Sequence, residues 1–192
     1  MQIIAGALFV VMGLQQAMAA DTLKIDPKHS NVTFTIRHIL AEVTGRFTEF
    51  HGNIMYDTGA PQNLSAEMEV RASSINTDNV RRDGHLRSSD FFAVDSFPTL
   101  SFRSTNASKT DNGLYLDGIL TIRGVAKPVS VPVEVLGVVQ MEEGKMAAFK
   151  STFKINRKDF GIFWNRTLDY GGTLLGDEVT IHLQFEASSS SD

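Results

Sequence analysis

Apolar and polar residues alternate with period two along most of this chain, a pattern that places successive side chains on opposite faces of an extended strand. In NVTFTIRH at 31–38, Val32, Phe34 and Ile36 alternate with Thr33, Thr35 and Arg37. At 63–71, Leu64, Ala66, Met68 and Val70 alternate with Ser65, Glu67, Glu69 and Arg71. Leu114, Leu116, Gly118, Leu120 and Ile122 share one face of a further strand. Val129, Val131, Val133 and Val135 share another, with Pro132 expected at an edge or bulge. Phe149, Ser151, Phe153 and Ile155 continue the pattern, and Val179, Ile181, Leu183 and Phe185 close it. Two stretches are less regular. Residues 99–107 carry Leu100 and Phe102 on one face. Residues 45–56 begin with Phe47 on one parity and continue with Phe50, Ile54 and Tyr56 on the other, which predicts a β-bulge near Phe50 or Gly52.

Turn-forming clusters such as Asp57-Thr58-Gly59-Ala60-Pro61, Asp111-Asn112-Gly113 and Glu142-Glu143-Gly144 separate these runs. The chain shows no strand–helix alternation of the kind a parallel sheet needs. About eight strands with one apolar face each bury those faces either by closing into an antiparallel barrel or by stacking as a sandwich. Residues 73–97 interrupt the strand pattern as the one long connection, and there Thr77 or Asp78 can cap a short helix running to Leu86. The apolar faces carry no inward acid or base, so whatever occupies the centre, side chains or ligand, is hydrophobic.

Composition narrows the chemistry. The chain has no cysteine, which excludes disulfides, thiolate metal sites and a cysteine nucleophile. Its formal net charge of −4 argues against nucleic acid as a partner, because phosphate binding wants clustered positive charge. The first residues, MQIIAGALFVVMGLQQAMAA, are uncharged. Their apolar run is too short to span a bilayer and ends in Ala17-Met18-Ala19, the small-x-small pattern of a signal-peptide cleavage site. The expected organisation is a signal peptide at 1–19, one β-barrel domain at 20–187 and a disordered serine-rich tail at 188–192. No later apolar run is long enough to form an integral membrane segment. The leader points to secretion, and best to a Gram-negative periplasm.

The densest chemical stretch is RRDGHLRSSDFF at 81–92. Asp83 and His85 are two residues apart, a helical spacing at which side chains do not face each other, so a direct dyad is not expected. Arg82 with Asp90, or Asp83 with Arg87, make more ordinary ion pairs. The histidines, at 29, 38, 51, 85 and 182, show neither the i,i+4 spacing of a helical zinc pair nor an HExxH motif, and no metal site is predicted. P-loop, GxGxxG and GxSxG motifs are missing too, so no cofactor is expected. The aromatics are the better clue: ten of the 13 Phe and the one Trp cluster at Phe47/Phe50, at Phe91/Phe92/Phe97/Phe102 and at Phe149/Phe153/Phe160/Phe163/Trp164. They serve either as plain core or as the lining of an apolar tunnel for a ligand with a small polar head.

Taken in order, IDPKHSNVTFTIRH at 25–38, GRFTEFHGNI at 45–54, SSINTDNVRRDGHLRSSDFF at 73–92, FPTLSFRST at 97–105, GILTIRGVAKPVSVPV at 118–133, FKINRKDFGI at 153–162 and GDEVTIHLQFEA at 176–187 resemble the YceI family of periplasmic or secreted, lipocalin-like polyisoprenoid-binding proteins. The resemblance runs from about Leu23 to Ala187. It implies an all-β, eight-stranded antiparallel lipocalin-like barrel with a helix-containing insertion near one end. It also implies an apolar lumen for a long-chain isoprenoid or fatty lipid, such as a polyprenyl pyrophosphate or the tail of a quinone. The family has no defined catalytic set, so ligand-facing residues are read from alternation and aromatic clustering: Phe34, Ile36, Phe47, Met68, Phe91, Phe92, Phe97, Phe102, Leu116, Leu120, Phe153, Phe160, Trp164 and Leu183. Ala93 departs from the family's frequent Asp, which implies a looser loop. A binding protein is the expected class. An enzyme using His85, Asp83 and Arg82 in the same cavity, and a side-chain-filled barrel serving as a stress-response module, are the competing readings. A homodimer is compatible with the sequence.

Overall fold

The computed structural model of the chain describes residues 21–169 and 171–189. The segment read as a signal peptide lies outside them. Eleven strands run in chain order: β1 Asp21–Ile25, β2 Asn31–His38, β3 Ala41–Phe47, β4 Phe50–Tyr56, β5 Ser65–Arg71, β6 Ile75–Asn76, β7 Thr99–Thr110, β8 Gly113–Ile122, β9 Val125–Met141, β10 Gly144–Asn156 and β11 Leu175–Ser188. One α-helix, α1 Val80–Arg87, and short 3-10 turns occupy the connections.

All pairings between these strands are antiparallel. Three pairs of short strands act as single bent strands. β2 pairs with β3 while β1 pairs with β4, and β5 and β6 continue alongside β4 and β3. β11 pairs with both β1 and β2, which closes the sheet into an eight-stranded antiparallel barrel. Closure pairs most strands on both sides, and alternation then sends one face of every strand inward. Leu23, Ile54, Val70, Leu116, Val131, Phe149 and Phe185 are buried there.

The parity change expected as a bulge near Phe50 is a break between β3 and β4. Thr48 and Glu49 leave the ladder, so Phe47 and Phe50 both turn inward although three residues apart. The broken backbone is re-bonded sideways: the Thr48 amide donates to Ser74 (3.3 Å) and the Arg71 amide to Glu49 (2.9 Å). Parallel breaks at 26–30 and 72–74 bend the neighbouring strands, which is why residues 21–25 form a strand the alternation did not reveal.

Pro132 lies on a half-open edge, as its lack of an N–H requires. The β9–β10 ladder runs only from Met141/Gly144 to Glu134/Lys150, and residues 125–133 pair with β8 alone. The β8–β9 hairpin turns through Arg123 and Gly124, both at positive φ. Counting hydrogen-bonded and non-bonded pairs from that two-residue turn places Pro128 and Pro132 at non-bonded positions against β8. Their nitrogens therefore face the open side, where no donor is needed and strand addition is discouraged.

At the β1–β2 break, His29 Nδ1 lies 2.6 Å from Asp26 and 3.8 Å from Glu186. The hydrogen bond to Asp26 raises the His29 pKa above its ordinary value and lowers that of Asp26. A raised histidine pKa gives stability that is complete below the unfolded value and lost as pH rises through the folded one. A lowered aspartate pKa gives stability present above its unfolded value and lost as pH falls. The pair therefore contributes most between about pH 4 and pH 6.5, and weakly, because both groups are exposed. His29→Gln is expected to remove a shallow loss of stability between about pH 6 and 8, checked by urea midpoints across that range. A wild-type decline that survives the substitution would contradict this assignment.

The final strand runs on through Ser188, which pairs with Met146, and Ser189 exchanges hydrogen bonds with Lys145. The barrel thus includes two residues of the segment expected as a tail, and 190–192 lie outside the described residues.

Candidate ligand cavity and its mouth

The barrel interior holds two adjoining spaces. The inner one is about 130 Å³ and lined by residues such as Ile54, Met68, Phe102, Leu120, Phe149 and Phe185. An apolar space of that size stays dry. The outer one, about 680 Å³, opens under α1 and is lined partly by Ile36, Phe92, Phe160 and Trp164. Phe34, Phe47, Leu100, Ile122 and Ile181 line both and form the waist between them. The waist is shaped by Gly45, the cross-strand partner of Phe34, because a Cβ there would collide with the Phe34 ring.

Polar and charged side chains gather at the mouth, where Thr77, Asn79, Arg81, Arg82, His85 and His38 border the outer space. The helix that brings them there is capped by Asn79, whose side chain accepts from the Arg82 amide at 3.0 Å. Thr77 and Asp78, the expected caps, are otherwise engaged. Thr77 binds the buried Asp83 carboxylate through its amide (2.9 Å) and hydroxyl (2.5 Å), and Asp78 pairs with Arg46 at 3.0 Å. The ion pairs expected within the helix do not form. Arg82 donates to the Thr77 hydroxyl and carbonyl, and Arg87 to the Ser73 and Ile75 carbonyls. Asp90 instead meets His85 at 2.9 Å. The His85 ring stands edge-on to Phe91 and Trp164, with centroids 5.0 and 4.8 Å away. Asp83 and His85 thus look in different directions, into the helix–barrel junction and towards the mouth.

A family model described as a YceI-like domain matches residues 23–187. The chain belongs to the YceI family. UPF0312 protein SA2479 of Staphylococcus aureus strain N315 is 36% identical over 167 residues, covering 85% of this chain and 93% of that one. Among solved structures, BcnA of Burkholderia cenocepacia superposes with a TM-score of 0.74 at 23% identity, covering 84% of this chain and 98% of that one. The YceI protein of Campylobacter jejuni does so with 0.68 at 26% identity, over 81% and 90%. A polyisoprenoid binding domain from Saccharophagus degradans shares the fold with 0.64 at 13% identity, over 88% and 99%.

In this YceI-family barrel, thirteen of the fourteen residues read as ligand-facing line one space or the other. Met68, Phe102, Leu116, Leu120, Phe153 and Leu183 line the inner space, and Phe34 and Phe47 the waist. Ile36, Phe91, Phe92, Phe160 and Trp164 line the outer one. Phe97 is the exception. Its ring covers Gly124 at the β8–β9 turn, 36% exposed, and lines neither space. The alternation that assigns faces within strands has no meaning in the loop before β7.

Two residues were missed. Arg157, 4% exposed, ties the mouth loop to the barrel: Nε donates to the Gly176 carbonyl and Nη1 to those of Ile162 and Trp164, each at 2.8 Å, and Nη2 reaches Asp177 at 3.0 Å. Burial lowers its pKa and Asp177 raises it, while Asp177 is itself held below the usual carboxylate value chiefly by Lys158. Ser151 lines the inner space with its hydroxyl buried and without a partner among the described residues.

Nor is the loop that follows α1 loose. The amides of Phe91, Phe92, Ala93, Val94, Ser96 and Phe97 all donate to backbone carbonyls within the segment. The cost in this loop is backbone strain, because Ala93 sits at φ 48°, in the left-handed region that Asp and Asn tolerate better. Ala93→Gly is expected to raise stability by about 1 kcal/mol, measured by urea denaturation; an unchanged or lowered midpoint would contradict it.

Proposed function

We propose that this protein is a periplasmic carrier that holds a long-chain isoprenoid or related amphiphilic lipid, of the polyprenyl pyrophosphate or quinone type, with its chain in the lumen. One observation carries the reading: an apolar space at the barrel centre adjoins a larger outer space with a polar border. That is the shape of a chain with one hydrated end. The outer space alone lies within the range of about 300–1,000 Å³ usual for small-molecule sites. Each CH₂ moved from water into it contributes about 0.8 kcal/mol, and guanidiniums at the mouth suit a phosphate or carbonyl head. The Saccharophagus degradans domain of the same fold is described as polyisoprenoid binding. The leader pattern supports export.

Binding rather than catalysis is favoured by how the ionisable groups are used. Asp83 and Arg82 spend their hydrogen bonds on Thr77, and His85 is held between Asp90 and two rings. Trp164, the chain's one tryptophan, lines the mouth and reports occupancy directly. Titration with a long-chain polyprenyl pyrophosphate is expected to change Trp164 emission saturably. Emission that does not respond to any isoprenoid or quinone would overturn the assignment.

A further inference from the structure

The mouth is ringed by apolar side chains that folding cannot account for. Ile39 and Leu40 form the two-residue turn between β2 and β3. Such a turn calls for Gly, Asn or Asp, yet Ile39 is held at φ 58° and Leu40 is 97% exposed. Positive φ in a β-branched residue is a genuine outlier, and strain of this kind persists where it serves function. Val80, at the start of α1, is 88% exposed, and Phe163 is 66% exposed.

All four belong to the same end of the barrel. Val80 lies between Asn79 and Arg81, and Phe163 between Ile162 and Trp164, residues that line the outer cavity. Ile39 follows the lining residue His38, and its amide donates to Leu174, another lining residue, at 2.9 Å. Exposed guanidiniums stand in the same segments, at Arg37, Arg81 and Arg166. Glu42, Asp78 and Asp169 are exposed acids of the same segments, Asp78 being paired with Arg46, so net attraction is modest and the apolar tips supply most of the binding.

We infer that this rim is a membrane-docking surface: Ile39, Leu40, Val80 and Phe163 enter the interface of an anionic bilayer, and the arginines meet its phosphates. Insertion of a few apolar side chains at headgroup level is how peripheral proteins rest on a bilayer, and each cation near an anionic surface adds attraction. Docked this way, the mouth faces the lipid, and a chain passes between bilayer and lumen without crossing water. This inference rests on the lumen being a lipid site.

The test uses the protein as its own host processes it, floated with vesicles of phosphatidylethanolamine and phosphatidylglycerol, with cargo measured separately in an organic extract. The protein is expected to float, and Leu40→Asp and Phe163→Asp are each expected to lower partitioning at least about tenfold while still binding isoprenoid added in solution. Protein that stays with the aqueous fraction, or variants that float like the wild type, would overturn the docking surface while leaving the lumen reading intact. A homodimer that Leu40→Asp splits, without vesicle binding, would overturn it too and reassign the rim to self-association. Flotation with the expected variant losses but an empty lumen would uphold the surface and remove the cargo.

Discussion

Replacing Arg157 by methionine is expected to destabilise the protein by about 3–5 kcal/mol, the largest effect of any single side chain outside the apolar core. The methylene stem is kept, so the loss is electrostatic. Three carbonyls, of Gly176, Ile162 and Trp164, lose their donor, and Asp177 keeps only Lys158. Ile162 and Trp164 both line the outer cavity, so the damage falls on the mouth as well as on overall stability. Arg157→Lys should recover only part of the loss, because an ammonium cannot reproduce the fork that serves four acceptors at once. Urea denaturation of both variants, followed by Trp164 emission, checks this. A methionine variant within 1 kcal/mol of wild type (roughly the worth of one ordinary hydrogen bond) would mean that the mouth loop is held by other contacts.

The second large effect is loss of cargo when the inner space is charged or filled. Phe102 lines it and its ring lies against Gly118. Phe102→Asp puts a carboxylate into an almost wholly apolar space with no cation to pair it, a cost of several kcal/mol unless the group takes up a proton. Retention of a long-chain lipid is expected to disappear. Because that variant risks unfolding, Ala66→Phe is its companion: Ala66 points into the same space, and a ring there fills volume while adding apolar contact. Ala66→Phe is expected to fold, to keep binding of a short isoprenoid in the outer space, and to lose long chains at least about tenfold. Full retention of long chains in a folded Ala66→Phe variant would mean that the chain does not pass the waist.

Much of this architecture was legible in the sequence, for a definable reason. A strand in a closed barrel has one face that must be apolar, so Phe34, Met68, Leu116, Leu120, Phe153 and Leu183 could be assigned to the interior from period-two spacing alone. The same logic failed wherever the chain leaves the ladder. The breaks at 48–49 and 72–74 change parity, and sequence alone cannot distinguish a bulge from a break re-bonded to the next strand. Phe97 resembled a lining residue by composition, but it precedes β7 and packs outside on Gly124. The helix cap fell on Asn79 because Thr77, a good cap by propensity, is consumed by Asp83 and Arg82. Arg157 was invisible because three of its four partners are backbone carbonyls, which carry no side-chain signature.

The charged stretch at 81–92 illustrates the same division. Its residue types allowed acid–base chemistry, anion binding or simple ion pairing, and only the fold separates them. Asp83 is turned inward to build the helix–barrel junction, Arg87 braces β6 and the turn before it, and Arg81, Arg82 and His85 border the mouth. Local spacing was right in denying an Asp83–His85 dyad, and silent about Asp90 as the partner of His85.

Mass spectrometry of an organic extract from protein purified from its own host without detergent tests the lipid-carrying lumen most directly. A stoichiometric isoprenoid or isoprenoid quinone is the expected result, and it would be lost from Phe102→Asp and Ala66→Phe. An extract with no lipid, from protein whose Trp164 emission also ignores added isoprenoids, would contradict a lipid-carrying lumen and leave a barrel closed by its own phenylalanines.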